Sequence, residues 1–90
     1  MKIDFDPAKR EKTLAERGLD FAHAGEVFSG HHFTLQDQRR DYDEPRYITV
    51  GELDGSMVVV VWTPRGERCR IISMRRANER EQEKYSNRVG

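Results

Sequence analysis

Five arginines and a single glutamate fall between Arg65 and Arg76. The run Arg68-Cys69-Arg70-Ile71-Ile72-Ser73-Met74-Arg75 reads as a strand. Strict alternation puts Arg68 and Arg70 on one face and Ser73 and Arg75 on the other, with Arg76 at the strand's end. A guanidinium stays charged near neutral pH and offers a planar fork of donors that matches phosphate oxygens. Several on one small sheet suit an RNA backbone, and they suit the extra negative charge a phosphorus centre acquires in its transition state. The plainer alternative is an exposed antiparallel face whose arginines pair with Asp and Glu and contribute little.

The C-terminal segment carries a second pattern. Ala77, Glu81 and Tyr85 recur at i+4 and share a helix face, Arg76, Arg80, Lys84 and Arg88 form a basic ridge beside them, and Glu79 and Glu83 form an acidic one. Tyr85 suits stacking on a base or donating its hydroxyl, with the ridge tracking phosphates. Equally, Tyr85 suits the role of packing anchor on a solvated helix. In Asp43-Glu44-Pro45-Arg46, Glu44 is placed either as a general base for a ribose 2′-hydroxyl or as the partner that orients an arginine. His23, His31 and His32 lack a third ligand at helical or hairpin spacing, so no metal site is expected. Cys69, the sole cysteine, reads as a small core residue inside a strand. No Gly-rich phosphate loop, Gly-x-Ser-x-Gly elbow or His-Glu-x-x-His is present, and no cofactor is expected.

These residues need a scaffold, and the chain has little to spend on one. It has 90 residues, 36% hydrophobic and 36% charged, with 16 basic and 16 acidic side chains. One small domain spanning residues 1–90 is expected, with a thin core and a large working surface. Net charge is zero, but residues 1–45 hold seven basic and ten acidic groups while residues 46–90 hold nine and six. That asymmetry excludes a bulk polycation and permits a local anion site. The N-terminus has no apolar h-region and the longest apolar run, Met57–Trp62, is too short to span a bilayer. A cytoplasmic protein without membrane contact is expected.

Lys2–Phe5 reads as a short strand. Asp6 caps a helix with Pro7 at its first position and Gly18 as its left-handed end. Asp20 opens a second helix whose Phe21, Ala24, Val27 and Phe28 share a face. Residues 31–45 read as a polar loop with at most a short strand at Phe33–Leu35. Arg46–Leu53, an Asp54-Gly55 type I′ turn, Met57–Thr63, a turn at Pro64–Glu67 and Arg68–Arg75 form a three-stranded antiparallel meander. Apolar residues on both sides of Met57–Thr63 mark it as a central strand. Asn78 and Glu81 form a capping box for the last helix. The expected class is α+β: two N-terminal helices packed on an antiparallel meander, then a C-terminal helix.

The chain resembles the BrnT toxins. Phe5-Asp6-Pro7-Ala8-Lys9 and Arg17-Gly18-Leu19-Asp20-Phe21 look like the family's opening. Arg46–Gly51, Val59–Gly66 and the more specific Arg68–Ala77 run fit it too, and Glu81…Tyr85 closes the match. The resemblance implies a RelE-like fold and a ribonuclease toxin of a type II toxin–antitoxin pair that inhibits translation. It implies metal-independent cutting with the adjacent 2′-hydroxyl as nucleophile. A BrnA-like antitoxin with a ribbon-helix-helix domain would neutralise the toxin and would be its only link to operator DNA. Mapped onto this chain, the motif points to Arg70 and Arg75 for transition-state stabilisation, Tyr85 for stacking or proton donation, and Glu81 as its orienter. Arg46, Arg65, Arg68, Arg76, Arg80 and Lys84 are the expected RNA contacts.

The chain departs from the family pattern in two places: Thr13 stands in place of Asn, and Glu16-Arg17-Gly18 in place of Lys-His-Gly. An arginine cannot replace a histidine in acid–base chemistry near neutral pH, but it suits a helix C-terminus. A competing function uses the same surface without catalysis, as an interaction module inside a DNA-binding repressor complex.

Overall fold

The computed structural model describes residues 2–89. Strand β1 (Lys2–Phe5) leads into helix α1 (Pro7–Arg17), a 3₁₀ turn (Phe21–His23) and helix α2 (Ala24–Ser29). Strands β2 (His32–Gln36), β3 (Tyr47–Leu53), β4 (Ser56–Arg65) and β5 (Arg68–Arg76) follow, and helix α3 (Glu79–Val89) ends the chain.

Local chemistry fixes most element boundaries where the sequence predicts them. The Asp6 carboxylate accepts from the Ala8 N–H at 2.9 Å, and Gly18, at φ 69°, donates its N–H to Leu14 O. The Asp20 carboxylate accepts from Ala22 N and so starts the 3₁₀ turn. Asp54 and Gly55 both have positive φ, 51° and 80°, as the hairpin between β3 and β4 requires. Asn78 Oδ1 accepts from Glu81 N while Glu81 Oε1 accepts from Asn78 N, a complete capping box for α3.

The sheet differs from the expected three-stranded meander. It has five strands in the order β1-β5-β4-β3-β2, with β1 parallel to β5 and every other pair antiparallel. Both added strands lie at edges. In β2, Phe33 and Leu35 face one way and the rest is polar; Leu35 is 43% exposed. A half-solvated edge strand needs no continuous apolar run. The segment thus reads as loop by composition, while its pairing to β3 runs from His32↔Gly51 to Gln36↔Tyr47.

Central strand β4 is covered on both faces, as its valine run predicts. Val58 and Val60 join Phe21, Val27, Ile71 and Met74 in the larger core, beneath α2 and the 3₁₀ turn. Val59 joins Val50 and Ala77 in a smaller cluster beneath α3, with Phe33, Met57 and Tyr85 packed against it. Helix α1 buries no residue. Polar contacts hold it instead. Arg10 donates from Nε and Nη2 to the Asp20 carboxylate at 2.8 and 2.7 Å, and that guanidinium holds the Asp20 carboxyl down at about 2. At the other end Arg17 Nη1 donates to Met74 O at 2.9 Å, and Arg76 Nη1 donates to Arg17 O.

Helix α2 approaches β3 closely at Gly51. A Cβ there would lie 2.7 Å from Val27 Cγ1 and 3.2 Å from His32 Cβ. Gly51→Ala should therefore lower the unfolding free energy by about 1–3 kcal/mol through overpacking. Urea unfolding checks this: the midpoint should fall with little change in slope.

Candidate functional site

One inserted residue organises the arginines. Val61 pairs with Ser73 and Trp62 with Ile71, so Ile72 has no partner on β4 and forms a β-bulge. The insertion reverses the parity of β5. Arg68, Arg70, Ser73 and Arg75 pair with Arg65, Thr63, Val61 and Val59 and share their face, the one that α3 partly covers. Cys69, Ile71 and Met74 all remain in the core on the other side. The expectation from strict alternation, with Arg70 and Arg75 on opposite faces, is thereby corrected.

Arg70 and Arg75 are held differently. Arg70 donates from Nη1 to Asp4 Oδ2 of β1 at 3.0 Å, and among the described residues no other Arg70 nitrogen is engaged. Both ends of that pair are about one-third exposed, and the arginine holds the Asp4 carboxyl below its usual range. Arg75 makes a two-point contact with Glu81, Nη1 to Oε1 at 2.7 Å and Nη2 to Oε2 at 2.8 Å. Because Glu81 also caps α3, one carboxylate ties the helix to the bulged strand. The Arg75 contact, followed by the Asn78 N–H, draws the Glu81 carboxyl down to about 2.

Beside Arg70, at the end of the sheet where α1 begins, is a cleft of about 220 Å³. Lys9, Arg46, Arg65 and Arg70 line it, with Asp6, Glu44, Thr63 and the two isoleucines of the bulge. Arg65 donates to both Glu44 oxygens at 3.1 Å. Thr63 Oγ1 donates to Pro45 O at 2.6 Å and so pins the entering loop to β4. The Arg46 guanidinium lies over the Tyr42 ring, 4.2 Å from its centre, and its Nε is buried with no acceptor among the described residues. That loop has its own hub. The buried Asp37 carboxylate accepts from Arg39 N, Nε and Nη2 and from Tyr42 Oη, at 2.8–3.2 Å. These contacts, led by the Arg39 side chain, hold the Asp37 carboxyl far below the usual carboxylate range.

The remaining sequence candidates scatter. Arg76 sits on the opposite side of the sheet, tied to α1 at Arg17, so it does not continue the α3 ridge. Arg80 and Lys84 are exposed on α3, the Lys84 ammonium 5.3 Å from the Tyr85 ring centre. Tyr85 is half-buried with its ring 4.9 Å from that of Phe33, as a packing anchor would be. Glu81 engages Arg75 rather than Tyr85. Glu44 orients Arg65, and Arg17 serves the end of α1. The Cys69 thiol is pushed up to about 12 by burial. Among the described residues no group of three or more His, Cys, Asp or Glu is placed to hold a metal ion, and no helix is long and apolar enough to cross a membrane.

Sequence reasoning passed over Lys9, Thr63 and Asp4. Only Lys9 carried a signal, as the lysine of the Asp-Pro-x-Lys opening.

The chain is thus a small α+β domain with a five-stranded mixed sheet that carries Arg68, Arg70 and Arg75 on one face. Residues 5–81 match the family described as the ribonuclease toxin BrnT of type II toxin–antitoxin systems, and the chain belongs to that family. No curated protein matches the chain.

The Arg75–Glu81 pair makes a pH prediction. The Glu81 carboxyl is drawn from 4.5 to about 2 on folding. A depressed carboxyl contributes stability that is complete above its unfolded value and is lost as pH falls through its folded one. At pH 6, Glu81→Gln should be less stable than the native chain by about 1 kcal/mol, the scale of a partly exposed pair. Urea unfolding at descending pH should show that gap closing between about 4.5 and about 2.

Proposed function

We propose that this chain is an endoribonuclease toxin that cuts RNA without a metal ion. It acts as a single cytoplasmic domain, residues 1–90, with a RelE-like arrangement. Family membership supplies the ribonuclease toxin class. The observation that carries the finer reading is the bulge at Ile72, which lines Arg68, Arg70 and Arg75 along one face.

In this reaction the ribose 2′-oxygen attacks the adjacent phosphorus. The 2′-hydroxyl loses its proton, the bond to the 5′-oxygen breaks, and that oxygen takes up a proton. The products are a 2′,3′-cyclic phosphate and a 5′-hydroxyl. The phosphorane formed on the way carries extra negative charge, so fixed guanidinium donors lower the barrier most when they point at its oxygens. Arg70 suits this role because only Nη1 is engaged, and the partly exposed Asp4 aims the fork without consuming it. Arg75 approaches the same strand face from the α3 side, aligned by Glu81. Arg46, Arg65 and Arg68 extend the positive track, and Arg80, Lys84 and Tyr85 form an outer surface on α3 for flanking RNA. Arg76, on the far side of the sheet, serves α1 instead.

The partner is a BrnA-like antitoxin with a ribbon-helix-helix domain, through which alone the toxin meets operator DNA. A chain with so thin a core gains stability from such a partner by mass action.

Arg70→Ala should abolish growth arrest on expression from a tightly repressed promoter and slow RNA cleavage about 100-fold or more. It should leave the melting transition nearly unchanged, because a part-exposed ion pair contributes about 1 kcal/mol at most. Undiminished toxicity in both Arg70→Ala and Arg75→Ala would sink the assignment.

A further inference from the structure

We infer that the cleft at the start of α1 is a phosphate subsite that takes a backbone phosphate of the RNA strand beside the one being cut, with Lys9 as its principal outer ligand. This deepens the ribonuclease reading and rests on it for the identity of the strand.

The cleft joins four cationic side chains from three separate parts of the chain: Lys9 of α1, Arg46 before β3, and Arg65 and Arg70 of β4 and β5. Two carboxylates share the lining. Asp6 is committed to the Ala8 N–H, and Glu44 is committed to Arg65. Four cations face these two anions, and Asp4 pairs with Arg70 from outside the lining, so the cleft keeps an excess of one positive charge. Lys9 is exposed and has no ion pair among the described residues. A second observation is independent of the charge count. Arg46, one of the residues lining this cleft, has its Nε buried with no acceptor among the described residues, although its guanidinium is fixed over Tyr42 and Tyr42 is fixed by Asp37. A buried donor left unsatisfied costs about 1–3 kcal/mol, so its persistence calls for an acceptor from outside the chain. Phosphate oxygens answer both features: they accept hydrogen bonds and carry the negative charge the cleft lacks.

Size and position narrow the ligand. About 220 Å³ admits a phosphate with its ester oxygens but not a stacked base and ribose as well. Arg70 belongs both to the cleft and to the row Arg68–Arg70–Arg75, so a strand passing along that row enters the cleft without turning. A backbone phosphate therefore fits better than a free anion. Lys9 acts here as a positioning residue, since it reaches a phosphate that does not react.

The test uses the full chain and a 2′-O-methyl RNA oligonucleotide, which binds but cannot be cut. Lys9→Gln should weaken binding about tenfold at low salt and reduce the slope of log K against log salt by about one. Lys12→Gln, the same charge change one helical turn on and outside the cleft lining, should bind like the native chain. Equal weakening by both substitutions, or no weakening by Lys9→Gln, would overturn the subsite. Inorganic phosphate is the second probe. If it raises the melting temperature of the native chain but not of Lys9→Gln, while RNA binding is unaffected by the substitution, the ligand is a free anion and the assignment to RNA fails. Cleavage of unmodified RNA is followed in parallel. Lys9-dependent binding without any cleavage would refute the ribonuclease reading and leave the subsite standing.

Discussion

The arrangement depends on one extra residue in β5. An antiparallel strand buried on one face must place alternate side chains in the core, and a slip of one residue would invert them all. Ile72 absorbs such a slip locally. Before the bulge Cys69 and Ile71 face the core; after it Met74 does. The compensating effect is that Arg68 and Arg70, before the bulge, and Arg75, after it, come to the same face. Bulges bend a strand and re-aim its side chains, and this one does so in the lining of the cationic cleft.

Charged side chains do two kinds of work here, and the geometry separates them. Arg10, Arg17, Arg39 and Arg76 serve structure: Arg10 closes onto the carboxylate that starts the 3₁₀ turn, Arg39 braces its loop, and Arg17 and Arg76 tie the end of α1 to β5. They stand in for apolar burial that α1 and the loop 37–46 lack. Arg70, Arg46 and Lys9 are only partly satisfied, or not at all, and they converge. Arg75 and Glu81 belong to both groups, since the pair anchors α3 while it fixes the second arginine of the row. Five of the twelve arginines close onto carboxylates, while Lys9, Arg46 and Arg70 bring donors without a protein partner among the described residues to one cleft.

Much of this was legible from local chemistry. The caps at Asp6, Gly18, Asp20 and Asn78, the Asp54-Gly55 turn and the two-faced β4 all depend on neighbours within a few residues. Strand β1 was read at its observed bounds and the core of β2 as a short strand, but their places in the sheet were not legible, because β2 gains its stability from β3 and β1 pairs with a strand more than sixty residues away in sequence. The bulge left one trace: the buried residues run 69, 71, 74, an odd-to-even switch that strict alternation does not allow. The motif carried Arg70 and Arg75 by residue type, while their common face, the Arg75–Glu81 pair and the position of Arg76 came only from pairing register. Tyr85 and Glu81 share a helix face as expected, yet tertiary packing gives them separate partners in Phe33 and Arg75.

The central claim is that this surface cuts RNA through the 2′-oxygen. The most direct measurement is mass analysis of the RNA ends left by the purified chain acting in excess chelator. The account predicts fragments with 2′,3′-cyclic phosphate and 5′-hydroxyl ends, formed at an undiminished rate. Fragments with 5′-phosphate ends, or no cleavage until a divalent cation is restored, would contradict it.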